Sequence, residues 1–161
     1  MTTSDAHLLD AVPATAPALD FAEHHHELRM HAERLLGRAQ TVDYPELVAD
    51  YRVFERAVLR HMMNEEELLL PGFEEREPAE AATIRRSHLE LRKQLYQTGI
   101  DAELHHLRVE SLRKLIAQLS HHAAYEERTL YPWAVVHLPS PARVSLLERL
   151  AMRFRDLADR V

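Results

Sequence analysis

The sequence contains no cysteine, which excludes disulfide bonds, thiolate zinc sites, iron–sulfur clusters and a cysteine nucleophile. Only three glycines are present and β-branched residues rarely cluster, which argues against a sheet protein. No apolar run approaches the roughly 20 residues that a membrane-spanning helix needs, and residues 1–17 lack the basic and apolar regions of a secretory signal. Basic charge is not in excess, because the formal net charge is −6. We therefore expect a cytoplasmic protein without a membrane or nucleic-acid partner.

Histidine, in contrast, is abundant. It accounts for 12 of the 161 residues, so metal or proton chemistry is the first function to consider. A chain of this length most simply forms one domain with a self-sufficient core.

Apolar residues recur at spacings of three and four, which is typical of helices with one buried face. This pattern predicts an all-α fold, an up-down-up-down four-helix bundle with an additional C-terminal helix, because short loops make successive helices antiparallel. The predicted helices are A from Pro17 to about Ala39, B from Asp43 to just before Pro71, C from Pro78 to just before Gly99, D from the N-cap Asp101 to about Pro132, and E from Ser140 to the C-terminus. We expect a loose leader at 1–16, the bundle at 17–135 and, within the same domain, an accessory helix at 140–161.

The chain contains an internal repeat. Residues 61–71 and 122–132 both read His, three residues, Glu, Glu, and then Pro five residues later. Residues 25–29 also match residues 88–92, each segment beginning with His and ending with Arg. A His and a Glu four residues apart lie on the same helical face. The repeat therefore predicts two helical hairpins, each with one lone histidine and one His-xxx-Glu pair.

Six polar residues fall on the apolar stripes of the four bundle helices, so they are predicted to point inward. They are His25, His61, Glu65, His88, His122 and Glu126. Buried carboxylates are costly unless they are paired or bound to a metal, and neither Lys nor Arg lies on these stripes. A multivalent cation would remove the cost, so the pattern predicts a metal site in the bundle core.

The number of donor atoms favours two metal ions. Four imidazoles supply four bonds and two bridging carboxylates supply four more, so each ion receives two nitrogens and two oxygens. A single-atom oxo or hydroxo bridge adds a fifth bond and leaves one position open on each ion. Mixed imidazole and carboxylate ligation suits non-haem iron, and manganese less often, whereas zinc prefers a tetrahedron.

The order His … His-xxx-Glu … His … His-xxx-Glu, with its trailing Glu-Glu-xx-Leu-x-Pro segments, resembles the hemerythrin-like, or HHE cation-binding, family of non-haem di-iron four-helix bundles. The resemblance covers residues 20–135. It implies terminal ligands and bridging carboxylates for two iron ions. The terminal ligands would be His25, His61, His88 and His122, and the bridging carboxylates Glu65 and Glu126.

The pattern departs from oxygen-carrying hemerythrins, which have a second histidine four residues after the helix C histidine. Arg92 stands there, and Glu126 follows His122 by four residues where those proteins have a carboxylate after five. The resemblance therefore implies catalase-like decomposition of hydrogen peroxide, or reaction with dioxygen, without catalytic residues beyond the metal ligands. The alternative is a module that binds or senses iron, dioxygen or nitric oxide without turnover. A structural bundle without metal is a third hypothesis.

The residues next to the site leave alternatives open. His24 is the alternative to His25 as a ligand. Arg29 and Arg92 either contact the bridging carboxylates or, as we favour, pair across a helix interface. The remaining interpretations are charged surface for Glu66, Glu67 and Glu127, a helix-D anchor for Tyr131 and Trp133, an interface or surface position for His121, and solvated positions for His7, His105, His106 and His137.

Overall fold

The protein is helical throughout the part of the chain that the structure describes. The structure is a computed structural model that describes residues 16–40 and 44–138, with side chains from residue 23 onward. The helices there are α1 (Ala16–Arg38), α2 (Tyr44–Leu68), α3 (Leu70–Glu74), α4 (Pro78–Glu103), α5 (Val109–Glu126) and α6 (Leu130–His137). The predicted all-α class is confirmed. The predicted helix E and residues 1–15 of the leader lie outside the described residues.

The four long helices pack side by side as a helical bundle. Helices α1 and α4 each contact both α2 and α5. At one end of the α1–α2 pair, Arg38 of α1 donates a hydrogen bond to Glu46 of α2, with 3.1 Å between nitrogen and oxygen. At the other end, His25 of α1 lies beside His61 of α2. Helices α1 and α2 are therefore antiparallel. None of the described helices is long and apolar enough to cross a membrane.

Apolar side chains form two clusters in the core. The larger cluster lies between the long helices and includes Leu35, Phe54, Val58, Met62, Leu95 and Leu115. The smaller cluster joins α3 and α6 to α4 and includes Leu70, Phe73, Ile84 and Leu130. Each of these side chains is almost completely buried, which stabilises the fold by about 1.5–3 kcal/mol per large apolar residue.

Helix α4 continues through Gly99 to Glu103, so the prediction that helix C ends before Gly99 is wrong. Glycine normally weakens a helix interior. Here a Cβ atom on Gly99 would lie 3.0 Å from the guanidinium of Arg52 and 3.3 Å from the ring of Tyr51. The missing side chain thus allows α4 to approach α2 closely, and tertiary packing outweighs the local propensity.

The predicted N-cap at Asp101 is also wrong, because this residue lies inside α4. Its carboxylate accepts a hydrogen bond from the Gln97 side chain at 3.0 Å, one helical turn earlier. The chain reverses only afterwards, where His105 adopts a positive φ of 58°. Helix α5 then begins at Val109 rather than just after Asp101.

The end of the predicted helix D is a separate helix. Helix α5 ends at Glu126, and α6 begins at Leu130 with Pro132 in its first turn. The same break separates α2 from α3, whose first turn contains Pro71. Proline is accommodated there because first-turn N–H groups have no partner within the helix. Both halves of the repeat therefore close with a short helix beside the bundle.

Candidate metal centre

The four long helices bring four histidines and two glutamates to one place inside the bundle. Helices α1 and α4 each contribute a single histidine, and α2 and α5 each contribute a His-xxx-Glu pair. All six side chains are buried, none more than 4% exposed: His25, His61, Glu65, His88, His122 and Glu126. The structure thus brings together every residue that the sequence predicts for the site.

The first donor group consists of His25, His61, Glu65 and Glu126. The Nε2 atoms of His25 and His61 are 3.1 Å apart. His61 Nε2 lies 3.3 Å from Glu65 Oε1, and His25 Nε2 lies 3.4 Å from Glu126 Oε2. Donors bound to one transition-metal ion at about 2.0–2.2 Å are separated by similar distances. The group therefore has the dimensions of a metal site.

The second donor group consists of Glu65, His88, His122 and Glu126. The Nε2 atoms of His88 and His122 are 3.2 Å apart, and His122 Nε2 lies 3.1 Å from Glu126 Oε1. The other carboxylate contributes Oε2, which lies 3.5 Å from His88 Nε2. Each glutamate thus presents one oxygen to each donor group, which is the arrangement of a carboxylate that bridges two ions.

Protons compensate for the two buried carboxylates in the metal-free protein. Burial lowers the pKa of His88, but hydrogen bonds to Glu126 and Glu65 outweigh it and raise the pKa to about 10. Burial likewise opposes ionisation of Glu126, yet the charge of His122 and hydrogen bonds from three imidazoles hold its pKa well below the usual range. Burial holds the pKa of His61 well below its usual value, with the His25 charge as the next cause. A bound cation would take over the compensating role of these protons.

Two buried carboxylate oxygens give a second reason to expect a bound metal. Glu65 Oε2 and Glu126 Oε2 are buried without a well-formed hydrogen bond, since the imidazole nitrogens that face them are 3.5 and 3.4 Å away. Unsatisfied buried carboxylate oxygens are costly. Among the described residues, no lysine or arginine is buried, so none neutralises these oxygens from within the core. Metal coordination would satisfy both atoms.

Glu66 and Glu127 hold two of the histidines in place, so the prediction that they are simply charged surface is wrong. Nδ1 of His88 donates to Glu66 at 2.9 Å, and Nδ1 of His25 donates to Glu127 at 3.0 Å. Both glutamates are only partly exposed, at 25% and 34%. A residue next to a core-facing glutamate turns by about 100° on the helix and reaches the neighbouring helix. Such contacts fix the tautomer so that Nε2 is free for a metal.

Glu66 and Glu127 each also contact an arginine. Arg92 donates two hydrogen bonds to Glu66, at 2.8 and 2.7 Å. The corresponding Arg29 lies 3.6 Å from Glu127. The favoured interpretation, pairing across a helix interface, is confirmed for both arginines. Because each Arg and each Glu occurs at matching places in the two halves, the repeat itself was the signal that could have revealed this outer layer.

Tyr131 also reaches the donor atoms, which the sequence pattern did not predict. Its hydroxyl donates to Glu65 Oε1 at 2.6 Å and lies 2.8 Å from His25 Nε2. Burial and the carboxylates of Glu65 and Glu126 raise the pKa of this phenol well above its usual value. Tyr131 packs in the smaller core cluster, as the predicted helix-D anchor requires, and helix α6 also turns its hydroxyl towards the donor atoms. A tyrosine beside the repeated Pro gave no sign of this in the sequence.

The other histidines lie outside both donor groups. His24 is buried with its ring 4.8 Å from that of His61, and burial, followed by the His61 charge, lowers its pKa to about 3. It therefore packs as a neutral ring beside the site. Of the remaining described positions, His31 is half-buried, whereas His26, His105, His106, His121 and His137 are exposed; His7 lies outside the described residues.

Two openings reach the histidines. An apolar cavity of about 30 Å³ between α1 and α5 ends at His25, His61 and His122. It holds about two water-sized molecules. A more polar cleft of about 190 Å³ reaches His122 past Arg86 and Tyr125. Both openings are thus lined by at least one of the site histidines, His122.

Comparison with known protein families agrees with this geometry. Residues 16–134 match the family model described as the hemerythrin HHE cation binding domain, which spans well over half of the chain. Comparisons with curated proteins and with solved structures gave no match. The chain therefore belongs to the hemerythrin HHE cation-binding domain family, as its resemblance implied.

Proposed function

We propose that the protein is a di-iron protein that decomposes hydrogen peroxide in a catalase-like reaction. The observation that supports this proposal is the pair of donor groups that share Glu65 and Glu126. In it, His25 and His61 bind one iron, His88 and His122 bind the other, and the two glutamates bridge them. An oxo or hydroxo bridge completes the pair. Manganese is the less favoured metal.

The architecture in this proposal is an up-down-up-down four-helix bundle within 17–135, with a leader at 1–16 and an accessory helix at 140–161. Contacts between the long helices support it, since each of α1 and α4 lies between α2 and α5. Such bundles hold di-metal carboxylate sites with ligands projected inward from facing helices.

The iron pair supplies Lewis acidity and exchangeable electrons when it is bound. The protein itself holds the metal ions, orients the imidazoles that bind them and limits access to the site. Glu66 and Glu127 keep protons on Nδ1 of His88 and His25, which leaves Nε2 free for coordination. The small apolar cavity beside His25, His61 and His122 has room for a molecule of the size of peroxide. Two peroxides then yield two waters and one dioxygen, without any other reductant.

Arg92 supports peroxide turnover over reversible oxygen carriage. It stands where oxygen carriers have a further histidine ligand, and its guanidinium is held by two hydrogen bonds to Glu66. It is therefore directed away from the donor atoms and leaves room for an exogenous ligand.

Oxygen evolution tests this function. Iron-loaded protein should bind about two irons per chain and release one dioxygen for every two peroxides added. The variant His122→Ala should lose this activity, because it removes a donor nitrogen, whereas His121→Ala on the exposed neighbour should retain it. Iron binding without oxygen evolution would contradict the enzymatic form. That result would support the alternative, a module that senses iron, dioxygen or nitric oxide.

A further inference from the structure

The Tyr131 hydroxyl lies within the first donor group, not merely beside it. It is 2.6 Å from Glu65 Oε1 and 2.8 Å from His25 Nε2. The two histidine nitrogens of that group are themselves 3.1 Å apart. Donors that share one metal at about 2.1 Å lie about 3 Å from each other when their bonds are roughly perpendicular. The phenol oxygen thus has the spacing of a donor atom.

The second donor group lacks an equivalent oxygen. Aligning His61 with His122 places Leu70 opposite Tyr131, and each is followed directly by proline. Both residues are buried at the start of the short helices α3 and α6. Leucine offers no donor atom. Among the described residues, the repeat is therefore broken at the position where the short helix α6 brings a side chain to the donor atoms.

We propose that Tyr131 is a further ligand, which supplies its phenol oxygen to the ion held by the first donor group. The inference rests on the proposed two-ion site. The O–H bond breaks as the oxygen–metal bond forms, the proton leaves to solvent, and no electron is transferred. Two nitrogens, two carboxylate oxygens and the phenol oxygen then serve the first ion.

This ligand makes the two ions unequal. The first ion would gain a further protein donor from Tyr131, while the second would keep a position for an exogenous ligand. Peroxide or dioxygen would consequently bind the ion of His88 and His122. The polar cleft past Tyr125 and Arg86 reaches that half through His122.

The visible absorption spectrum of the iron(III)-loaded protein tests this ligand independently of activity. Wild type should show a phenolate-to-iron charge-transfer band. Tyr131→Phe should lose it, and the matched variant Tyr125→Phe, which changes a partly buried tyrosine of the same region, should keep it. The mirror variant Leu70→Tyr should strengthen the band. Resonance Raman excitation of the wild-type band should also give tyrosine ring modes, which detect a tyrosine ligand even if Tyr131→Phe fails to fold, and Tyr125→Phe should retain these modes.

The outcomes separate this inference from the proposed function. About two irons per chain without a visible tyrosine band, or with a band that Tyr131→Phe retains, would overturn the Tyr131 ligand and leave the di-iron site standing. A wild-type protein that binds no iron would overturn both.

Discussion

Glu66 and Glu127 are the residues that connect the donor groups to the outer surface of the bundle. Each follows a core-facing glutamate, accepts a hydrogen bond from the Nδ1 atom of a histidine on another helix, and contacts an arginine. A carboxylate in this position orients the imidazole and makes it a better metal ligand. The two halves of the repeat therefore reproduce the surroundings of the ligands as well as the ligands themselves.

Replacing Glu66 should weaken metal binding without removing a donor atom. Glu66→Gln loses the charged partner of His88 and Arg92, so iron affinity should fall by about 10–100-fold. The measurement is iron competition against a chelator of known affinity. Glu67→Gln is the matched control, because its side chain is exposed on the same helical turn. Equal affinities in the two variants would show that Glu66 does not support the site.

At the scale of helices, the contact of α2 with α4 depends on a glycine in α4 and on a buried tyrosine in α2. Gly99 allows the close approach, and the fully buried Tyr51 of α2 donates a hydrogen bond to the Leu95 carbonyl of α4 at 2.5 Å. Burial, reinforced by the Glu55 carboxylate, raises the pKa of Tyr51 above its usual value. The ordinary pKa of tyrosine is about 10.

This shift predicts a loss of stability at alkaline pH. The folded pKa of Tyr51 exceeds the unfolded one, so its contribution is complete below about pH 10 and decreases as the pH rises further. Tyr51→Phe should cost about 1 kcal/mol at neutral pH through the lost hydrogen bond and should reduce the alkaline decrease. Urea denaturation across this pH range measures both. The control is Tyr96→Phe, at 69% exposure, and an alkaline decrease that persists unchanged in Tyr51→Phe would contradict the assignment.

The four long helices and their buried faces were predictable, but the helix ends and the short helices α3 and α6 were not. The three-and-four spacing placed His25, His61, His88 and His122 on buried faces because that spacing follows directly from helix geometry. The continuation of α4 past Gly99 depends on a contact with α2 that no local pattern encodes. From local propensity alone, a glycine at this place indicates the end of a helix.

At the scale of the whole molecule, bound metal should contribute to folding. The donor atoms come from four helices, so the unfolded chain does not hold them together. At a free-metal concentration a thousandfold above its dissociation constant, each ion adds about 4 kcal/mol. Chelation should therefore lower the unfolding free energy measured in urea by several kcal/mol. Unchanged stability after exhaustive chelation would favour a structural bundle with satisfied core histidines.

The site was more predictable than its surroundings, for a physical reason. Buried carboxylates and imidazoles stand out against apolar stripes, so Glu65 and Glu126 could be identified from their spacing. Tyr131 reaches the same donors from a short helix whose orientation depends on packing against α3 and α4. Its role is a property of the assembled molecule and has no periodic signal.

Anomalous diffraction at the iron absorption edge, from crystals of the iron-loaded protein, tests the central claim most directly. We expect two iron peaks per chain, one among His25, His61 and the two bridging glutamates, and the other among His88, His122 and the same glutamates. A single peak, or iron bound away from Glu65 and Glu126, would contradict it.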